Sequence, residues 1–274
     1  MRILLVGDVV GRAGRAVLLE NLPKLRQAWR LDFVIVNGEN AAGGFGITET
    51  ICADILAAGA DCVTLGNHAF DQREALVFIG RERRLIRPLN YPLGTPGGGA
   101  NLFQSASGAQ VLVISLMGRV FMDPMDDPFA AAAREVSACP LGVGCDALVV
   151  DFHAEASSEK QAFAHFVDGR VSFVAGTHTH VPSADHQILP NGTAFATDAG
   201  MTGDYDSVIG MDKEEPVRRF TTKLPAARFE PASGAATLCG IAVELDAKGL
   251  AAKIAPVRIG GRLSQARPEF WEAT

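Results

Sequence analysis

No stretch of these 274 residues approaches the roughly 18 to 20 consecutive apolar positions that cross a bilayer, so no membrane partner is expected. The opening run Met1-Arg2-Ile3-Leu4-Leu5-Val6 meets the acidic Asp8 too early to read as a secretory signal. Basic residues are outnumbered, 25 Lys and Arg against 31 Asp and Glu, for a formal charge of −6. That balance excludes an extended nucleic-acid surface while leaving room for a local basic pocket. Cysteine is sparse and odd in number, with five residues at 52, 62, 139, 145 and 239. Scattered through mostly apolar contexts, they read as buried free thiols in a reducing compartment rather than a disulfide framework or a thiolate metal site. A cytoplasmic location is the expectation. Repeats, low-complexity tracts and linkers are missing too, so nothing cuts the chain. One globular domain over residues 1–274 is expected.

What the sequence does contain is a series of strand-loop-helix units whose strands end in polar clusters. Arg2 to Gly7 reads as a buried strand that turns at Asp8. The helix expected over about 13–29 carries Val17, Leu18, Leu22 and Leu25 at helical spacing. Phe33-Val34-Ile35-Val36 ends in Asn37-Gly38-Glu39-Asn40 and a glycine-rich loop, before Thr48 opens a helix to about 58. Cys62 to Leu65 ends in Gly66-Asn67-His68-Ala69-Phe70-Asp71. A turn-rich connection covers residues 87–101, and the acidic, proline-punctuated stretch 122–128 reads as a solvated loop. Further strands are expected at 111–116 and 147–150, the latter running into Asp151-Phe152-His153-Ala154-Glu155. A helix over about 157–166 then leads to the apolar run 171–175 and Gly176-Thr177-His178-Thr179-His180. After a strand at 193–197, the glycine-bearing segment 198–206 reads as a mobile loop able to rim a pocket. From about 215 the pattern turns alternating and antiparallel, with 238–245 and 250–259 flanking the turn Asp246-Ala247-Lys248-Gly249. The fold class is α/β, with a β-rich C-terminal third.

Ligands of open α/β sheets sit at the carboxyl ends of the strands. The donors collected there are Asp8, Glu39, Asn40, Asn67, His153, His178 and His180. Each has a plainer reading on its own: Asp8 as a turn residue or helix cap, His153 as a packed core histidine. His165 and His186 read as surface or helix residues. The glycines at 11 and 14 lack the third glycine of a nucleotide fingerprint and follow an acid. His178 and His180, at i and i+2 in extended backbone, point to the same side, which favours ligation. Two carboxylates, two amides and three imidazoles suffice for two metal ions if one carboxylate bridges them. Two ions roughly 3.5 to 4 Å apart form the clamp used to hydrolyse phosphate esters. A hard-to-borderline donor set without thiolate favours Mn, Fe or Zn. His68 stands beside a ligand position rather than at one, which suits a general acid for the departing alkoxide.

Gly7-Asp8, Gly38-Glu39-Asn40, Gly66-Asn67-His68, an isolated His153 and Gly176-Thr177-His178-Thr179-His180 resemble the ordered motifs of the calcineurin-like metallophosphoesterases. The runs Gly-Asp-Val-Val-Gly, Asn-Gly-Glu-Asn-Ala-Ala, Asp-Phe-His-Ala-Glu-Ala and Gly-Thr-His-Thr-His-Val look more closely like the bacterial YmdB-type branch, over most of the chain. The resemblance implies a sandwich of two packed mixed β-sheets flanked by helices. It implies that Glu39 bridges two ions, with Asp8, Asn40 and His180 completing one shell and Asn67, His153 and His178 the other. His68 maps onto the family's proton donor. Three departures stand out. Glu39-Asn40 replaces the usual Gly-Asp-x-x-Asp pattern. Val10 occupies the place of a ligand histidine, making the first shell richer in oxygen and favouring iron or manganese over zinc. Ala69 stands where many relatives have an acid, which leaves His68 less strongly oriented.

The expected function is a two-metal phosphodiesterase acting on small nucleotides of the 2′,3′-cyclic type, with metal-bound hydroxide as nucleophile and His68 as proton donor. Asp8 and Glu39 offset two of the four charges of two divalent ions; a hydroxide and a diester monoanion offset the rest. A monoester dianion would overshoot unless a basic residue such as Arg12 or Arg119 helps. A broad phosphomonoesterase and a nucleotide-sensing regulatory protein on the same scaffold are the rival readings. A homo-oligomer through the C-terminal third is left open.

Overall fold

Alternation in the first strand already separates two layers. Ile3 and Leu5 enter one buried cluster, Leu4 and Val6 another, as the two-residue period of a strand demands. The computed structural model describes residues 1–271. In chain order its elements are β1 (Arg2–Val6), α1 (Gly11–Ala28), β2 (Phe33–Asn37), α2 (Glu49–Ala57), β3 (Cys62–Thr64), α3 (Ala75–Phe78) and β4 (Leu85–Ile86). Then follow β5 (Ala100–Gln104), β6 (Gln110–Met117), α4 (Pro128–Ala138), β7 (Ala147–His153), α5 (Ser157–Val167) and β8 (Phe173–Thr177). The chain continues with β9 (Gln187–Ile188), β10 (Ala194–Ala196), β11 (Gly203–Asp204), α6 (Glu214–Thr222), β12 (Ala236–Leu245) and β13 (Ala251–Ile259).

The first sheet runs β11-β12-β1-β2-β3-β4, with β13 also paired to β12; the second runs β5-β6-β7-β8-β10-β9. Strands β1 to β4 are mutually parallel, as are β6, β7, β8 and β10. Antiparallel β12, β5 and β9 make both sheets mixed. Between the sheets, Ile3, Leu5 and Phe33 meet Val113, Val149 and Phe173. Outside the first sheet, Leu18 and Leu22 of α1 and Ile55 of α2 cover Leu4, Val34 and Val36. Outside the second, Ala132 and Val136 of α4 and Phe163 of α5 cover Ile114, Leu148 and Val174. Burying each such large side chain is worth about 1.5–3 kcal/mol, against about 1 kcal/mol net for a typical hydrogen bond. Apolar packing therefore sets the sheets against each other, and the polar loops inherit their positions. The result is the expected α-β-β-α sandwich, and the parallel strands of both sheets deliver their carboxyl ends to one edge.

Several local expectations need correction. The stretch from about 215 is not yet antiparallel: residues 214–222 form α6, and the ladder starts only at Ala236. Glu214 and Glu215 in the first turn and the Arg219–Glu215 pair at 2.7 Å stabilise that short polar helix. Residues 198–206 are not a rim. Asp198 to Asp204 are buried, with Thr202 bridged to Val9 beneath the site. The acidic 122–128 loop is largely exposed as expected, but its Asp127 caps α4, accepting from the amides of Phe129 and Ala130 at 2.9 and 3.4 Å. Elements α3, β4, β5 and α4 were not anticipated. All five cysteines are free, four buried and Cys139 half-buried. No described helix is long and apolar enough to cross a membrane.

Candidate metal centre

The motif glycines explain how side chains from two sheets converge on one point. A Cβ at Gly66 would lie 2.3 Å from both Glu39 Oε2 and His153 Nε2, so only glycine lets β3 end beneath these donors. A Cβ at Gly176 would lie 1.8 Å from the Thr197 carbonyl, so the end of β8 likewise needs a glycine. Beyond it the expected extended backbone is corrected: His178 and His180 adopt left-handed backbone (φ 97° and 65°), a conformation non-glycine residues adopt sparingly. Asp198 holds this turn, accepting from the Thr179 amide at 3.1 Å and its hydroxyl at 2.6 Å. The buried Lys160 ammonium donates to the same carboxylate at 2.9 Å.

All seven expected ligands meet at this edge, in two groups that share Glu39. Carboxylate and imidazole atoms of Glu39, His153 and His178 lie within 4.8 Å of one another, as do those of Asp8, Glu39 and His180. In the first group, Thr177 Oγ1 donates to Asp151 at 2.7 Å and so accepts from His153 Nδ1 at 2.9 Å. His153 Nε2 then faces Asn67 Oδ1 at 2.9 Å, His178 Nδ1 at 3.0 Å and Glu39 Oε1 at 3.1 Å. His178 Nε2 lies 3.2 Å from the Glu155 carboxylate, so its proton belongs there and its Nδ1 lone pair also faces inward. In the second group, His180 Nδ1 donates to the Ile209 carbonyl at 2.7 Å. Its Nε2 is left toward Asn40 Oδ1 at 3.2 Å and Asp8 Oδ1 at 3.9 Å. Asn40 spends its amide donor on Gly44 O at 3.0 Å, so its oxygen faces His180. Asp8 Oδ1 is buried without any hydrogen-bond partner.

Acceptors and lone pairs packed this closely repel one another unless a positive charge lies among them. One proton on His153 Nε2 can serve one neighbour; a dication serves all, and the outward-facing ring nitrogens are tethered as metal-binding histidines commonly are. The electrostatics agree. Burial raises the Asp8 carboxyl to about 6, although His180 and His153 pull it back. Burial also opposes the Glu39 charge, but the His153 cation outweighs it and holds Glu39 at about 2. For His153 burial is again overcome, by Glu39 and Asp8, and its affinity for a proton rises to about 9. Burial and neighbouring His153 push His178 down to about 3. A second positive charge is rejected as a proton on His178, yet the donor set fits divalent ions.

His68 is half-buried at the rim. Its amide donates to Glu39 Oε2 at 3.2 Å, and its Nδ1 donates to Asp71 Oδ2 at 2.8 Å. The acid missing at position 69 is thus supplied two residues later, and the expectation of a loosely oriented histidine is corrected. Phe45 meets the His68 ring edge-on at 5.1 Å. Neither arginine considered for charge balance lines this pocket. Arg12 lines a separate groove with Ser233 and Gly234, and Arg119 lies 3.8 Å from Asp127. His165 is exposed on α5, and His186 is half-buried with Nδ1 unpartnered. Asp151, Asp198, Asp71, Glu155 and the Ile209 carbonyl were missed. Asp71, Asp151 and Glu155 lay in quoted polar clusters where a partner could have been sought.

Two mixed sheets packed between helices, with carboxylate, amide and imidazole donors at one strand edge, define a calcineurin-like metallophosphoesterase. Residues 4–257 match the family model described as YmdB-like protein. The chain is 48% identical over 246 residues to the 2′,3′-cyclic-nucleotide 2′-phosphodiesterase of Bacillus subtilis, covering 90% of this chain and 92% of that protein. It superposes on the crystal structure of a hypothetical protein from Thermus thermophilus with a TM-score of 0.89 at 42% identity, covering 96% of this chain and 100% of the other. A novel phosphatase from Mycoplasma pneumoniae gives 0.88 at 34% identity, covering 98% and 95%. The chain belongs to the YmdB-like family.

Proposed function

We propose that this metal-dependent phosphoesterase hydrolyses small phosphodiesters, with 2′,3′-cyclic nucleotides as the substrate class. Glu39 is taken to bridge two ions, Asp8, Asn40 and His180 to hold one, and Asn67, His153 and His178 the other. The observation that carries this is the pair of donor groups, each holding imidazole nitrogen against carboxylate and amide oxygens, with Glu39 common to both. Bound ions would supply an activated water and offset the charge that develops on the phosphoryl oxygens. Oxygen donors dominate the Asp8 side because Val10, buried against Gly210, replaces a histidine. This supports iron or manganese over zinc. His68, oriented by Asp71, protonates the departing ribose oxygen.

The pocket above the donors, about 330 Å³, is lined by no lysine or arginine among the described residues. Two ions offset by Asp8 and Glu39 then suit a diester monoanion better than a monoester dianion, as does the name of the Bacillus relative. The same reading takes residues 1–274 as one catalytic domain; five free thiols support a reducing, cytoplasmic setting. The test is metal content together with hydrolysis of bis(p-nitrophenyl) phosphate, for wild type and His178→Ala. About two ions per chain and diester turnover, both reduced in the variant, are expected. A protein that binds no transition metal and turns over no diester under any metal supplement refutes the assignment.

A further inference from the structure

Opposite the donors, the pocket is walled by Phe45, Ile209, Met211, Phe220 and Phe229. Phe220 is 74% and Ile209 55% exposed, an unusual amount of apolar surface to leave beside charged donors. Two cations lie over the wall: the Lys223 ammonium sits 5.9 Å from the Phe220 ring centroid, and the guanidinium of Arg219 is engaged elsewhere. Arg219 stacks on the Phe229 ring at 4.0 Å while its guanidinium pairs with Glu215 at 2.7 Å and donates to the Ala227 carbonyl at 2.6 Å. Every polar side chain lining the pocket belongs to the donor set or is His68. A group held against this wall therefore meets mainly flat apolar surface.

We propose that Phe220 and Phe229, with Phe45, Ile209 and Met211, form a stacking platform for the base of a nucleotide phosphodiester whose phosphate sits over Glu39. The proposal rests on the phosphodiesterase reading and adds what selects the substrate. Stacking uses a face that every base has, so the platform selects for the presence of a base, not for its identity. Purine and pyrimidine 2′,3′-cyclic nucleotides should be cleaved with kcat/KM values within about tenfold of one another. Ribose 2′,3′-cyclic phosphate, which lacks the base, should be worse by about five- to one-hundred-fold, the range that loss of one stacked base implies.

The test uses the full chain loaded with Mn²⁺, comparing wild type, Phe220→Ala, Phe229→Ala and Phe220→Trp. Substrates are the four cyclic nucleotides, the base-free compound and bis(p-nitrophenyl) phosphate, with Mn²⁺ affinity measured by calorimetry. Expected are a five- to one-hundred-fold loss on nucleotides in the alanine variants, seen mainly in KM, a collapse of the advantage over the base-free compound, and recovery in Phe220→Trp. Equal losses on nucleotides and the base-free compound overturn the platform, as does weakened Mn²⁺ binding that accounts for the whole loss. Discrimination among bases beyond about one-hundred-fold in wild type overturns it too. If wild type with bound Mn²⁺ cleaves none of these diesters, the phosphodiesterase reading itself fails.

Discussion

His153 and His180 present the same atom, Nε2, to the same edge, but they are held there by opposite means. His153 is anchored by side chains alone. Thr177 passes its hydrogen bond to Asp151, which also accepts from Thr64 Oγ1 at 2.5 Å and Asn37 Nδ2 at 3.0 Å. Those partners come from β8, β3 and β2, so the buried carboxylate ties the two sheets together under the site. His180 is anchored by one backbone carbonyl, that of Ile209, in the segment that also walls the pocket. A relay of side chains can be cut by substitution; a carbonyl cannot. The two halves of the centre should therefore respond very differently to mutation, although Glu39 belongs to both.

Glu39→Gln should erase the difference, because it acts on both halves. Replacing the shared anion by an amide removes charge that two dications need. A loss of at least about 10³-fold in diester turnover is expected, some 4 kcal/mol in the barrier. Metal stoichiometry measured by elemental analysis should fall for both ions together. Thermal stabilisation by added Mn²⁺ should vanish as well; for wild type at about 100 times Kd it amounts to about 2.7 kcal/mol. A variant that keeps one ion at full affinity would show the bridge to be elsewhere.

His68→Ala calibrates the comparison, since His68 touches Glu39 only through its backbone amide. Turnover of cyclic nucleotides should drop about 10²- to 10³-fold with two ions still bound. The loss on p-nitrophenyl esters should be smaller, because that leaving group departs without a proton. Equal losses on both substrates would remove the proton-donor role.

Thr177→Val cuts the relay on the His153 side alone. Metal affinity should weaken about 10- to 100-fold, read by calorimetry, the usual consequence of losing an outer hydrogen bond to a ligand histidine. Asp151 loses one of its donors in the same step, so stability should fall by about 1–3 kcal/mol in urea unfolding. Burial already raises the Asp151 carboxyl, opposed by His153, Thr64, Thr177 and Asn37, and removing a donor should raise it further. Unchanged metal affinity with lost stability would make the relay purely architectural.

The two tethers were also unequally legible. Polar residues that abruptly follow apolar β runs stood out, and so Asp8, Glu39, Asn40, Asn67, His153, His178 and His180 could be collected from the sequence. Asp151 lies inside β7, and its partners are 26, 87 and 114 positions away, so only the packed sheets reveal them. The Ile209 carbonyl carries no side-chain signal at all. Asp71 was one turn from His68 and visible in principle, but a pattern reading looked for the acid at position 69. Helix α6 escaped because its apolar residues, Pro216, Val217 and Phe220, are too few over nine positions to show a helical period. Residues 198–206 were misplaced because glycines there serve close packing, Gly200 against Pro182, rather than mobility.

Ile209 gives the smallest effect and the sharpest contrast. Its φ of 46° puts a β-branched residue in the left-handed region, at a cost of about 1–3 kcal/mol, and turns its carbonyl toward His180. Ile209→Gly keeps the carbonyl and relieves that strain, at an entropic cost of about 0.5–1 kcal/mol from the freer unfolded chain. The melting temperature should hold or rise slightly, and Mn²⁺ affinity should change by less than about threefold. Thr177→Val, in the same calorimeter, should change it by at least about tenfold. If the glycine variant loses affinity as severely as the valine variant, the His180 tether depends on the rigidity of its loop rather than on the carbonyl alone, and the two halves of the centre are more alike than their partners suggest.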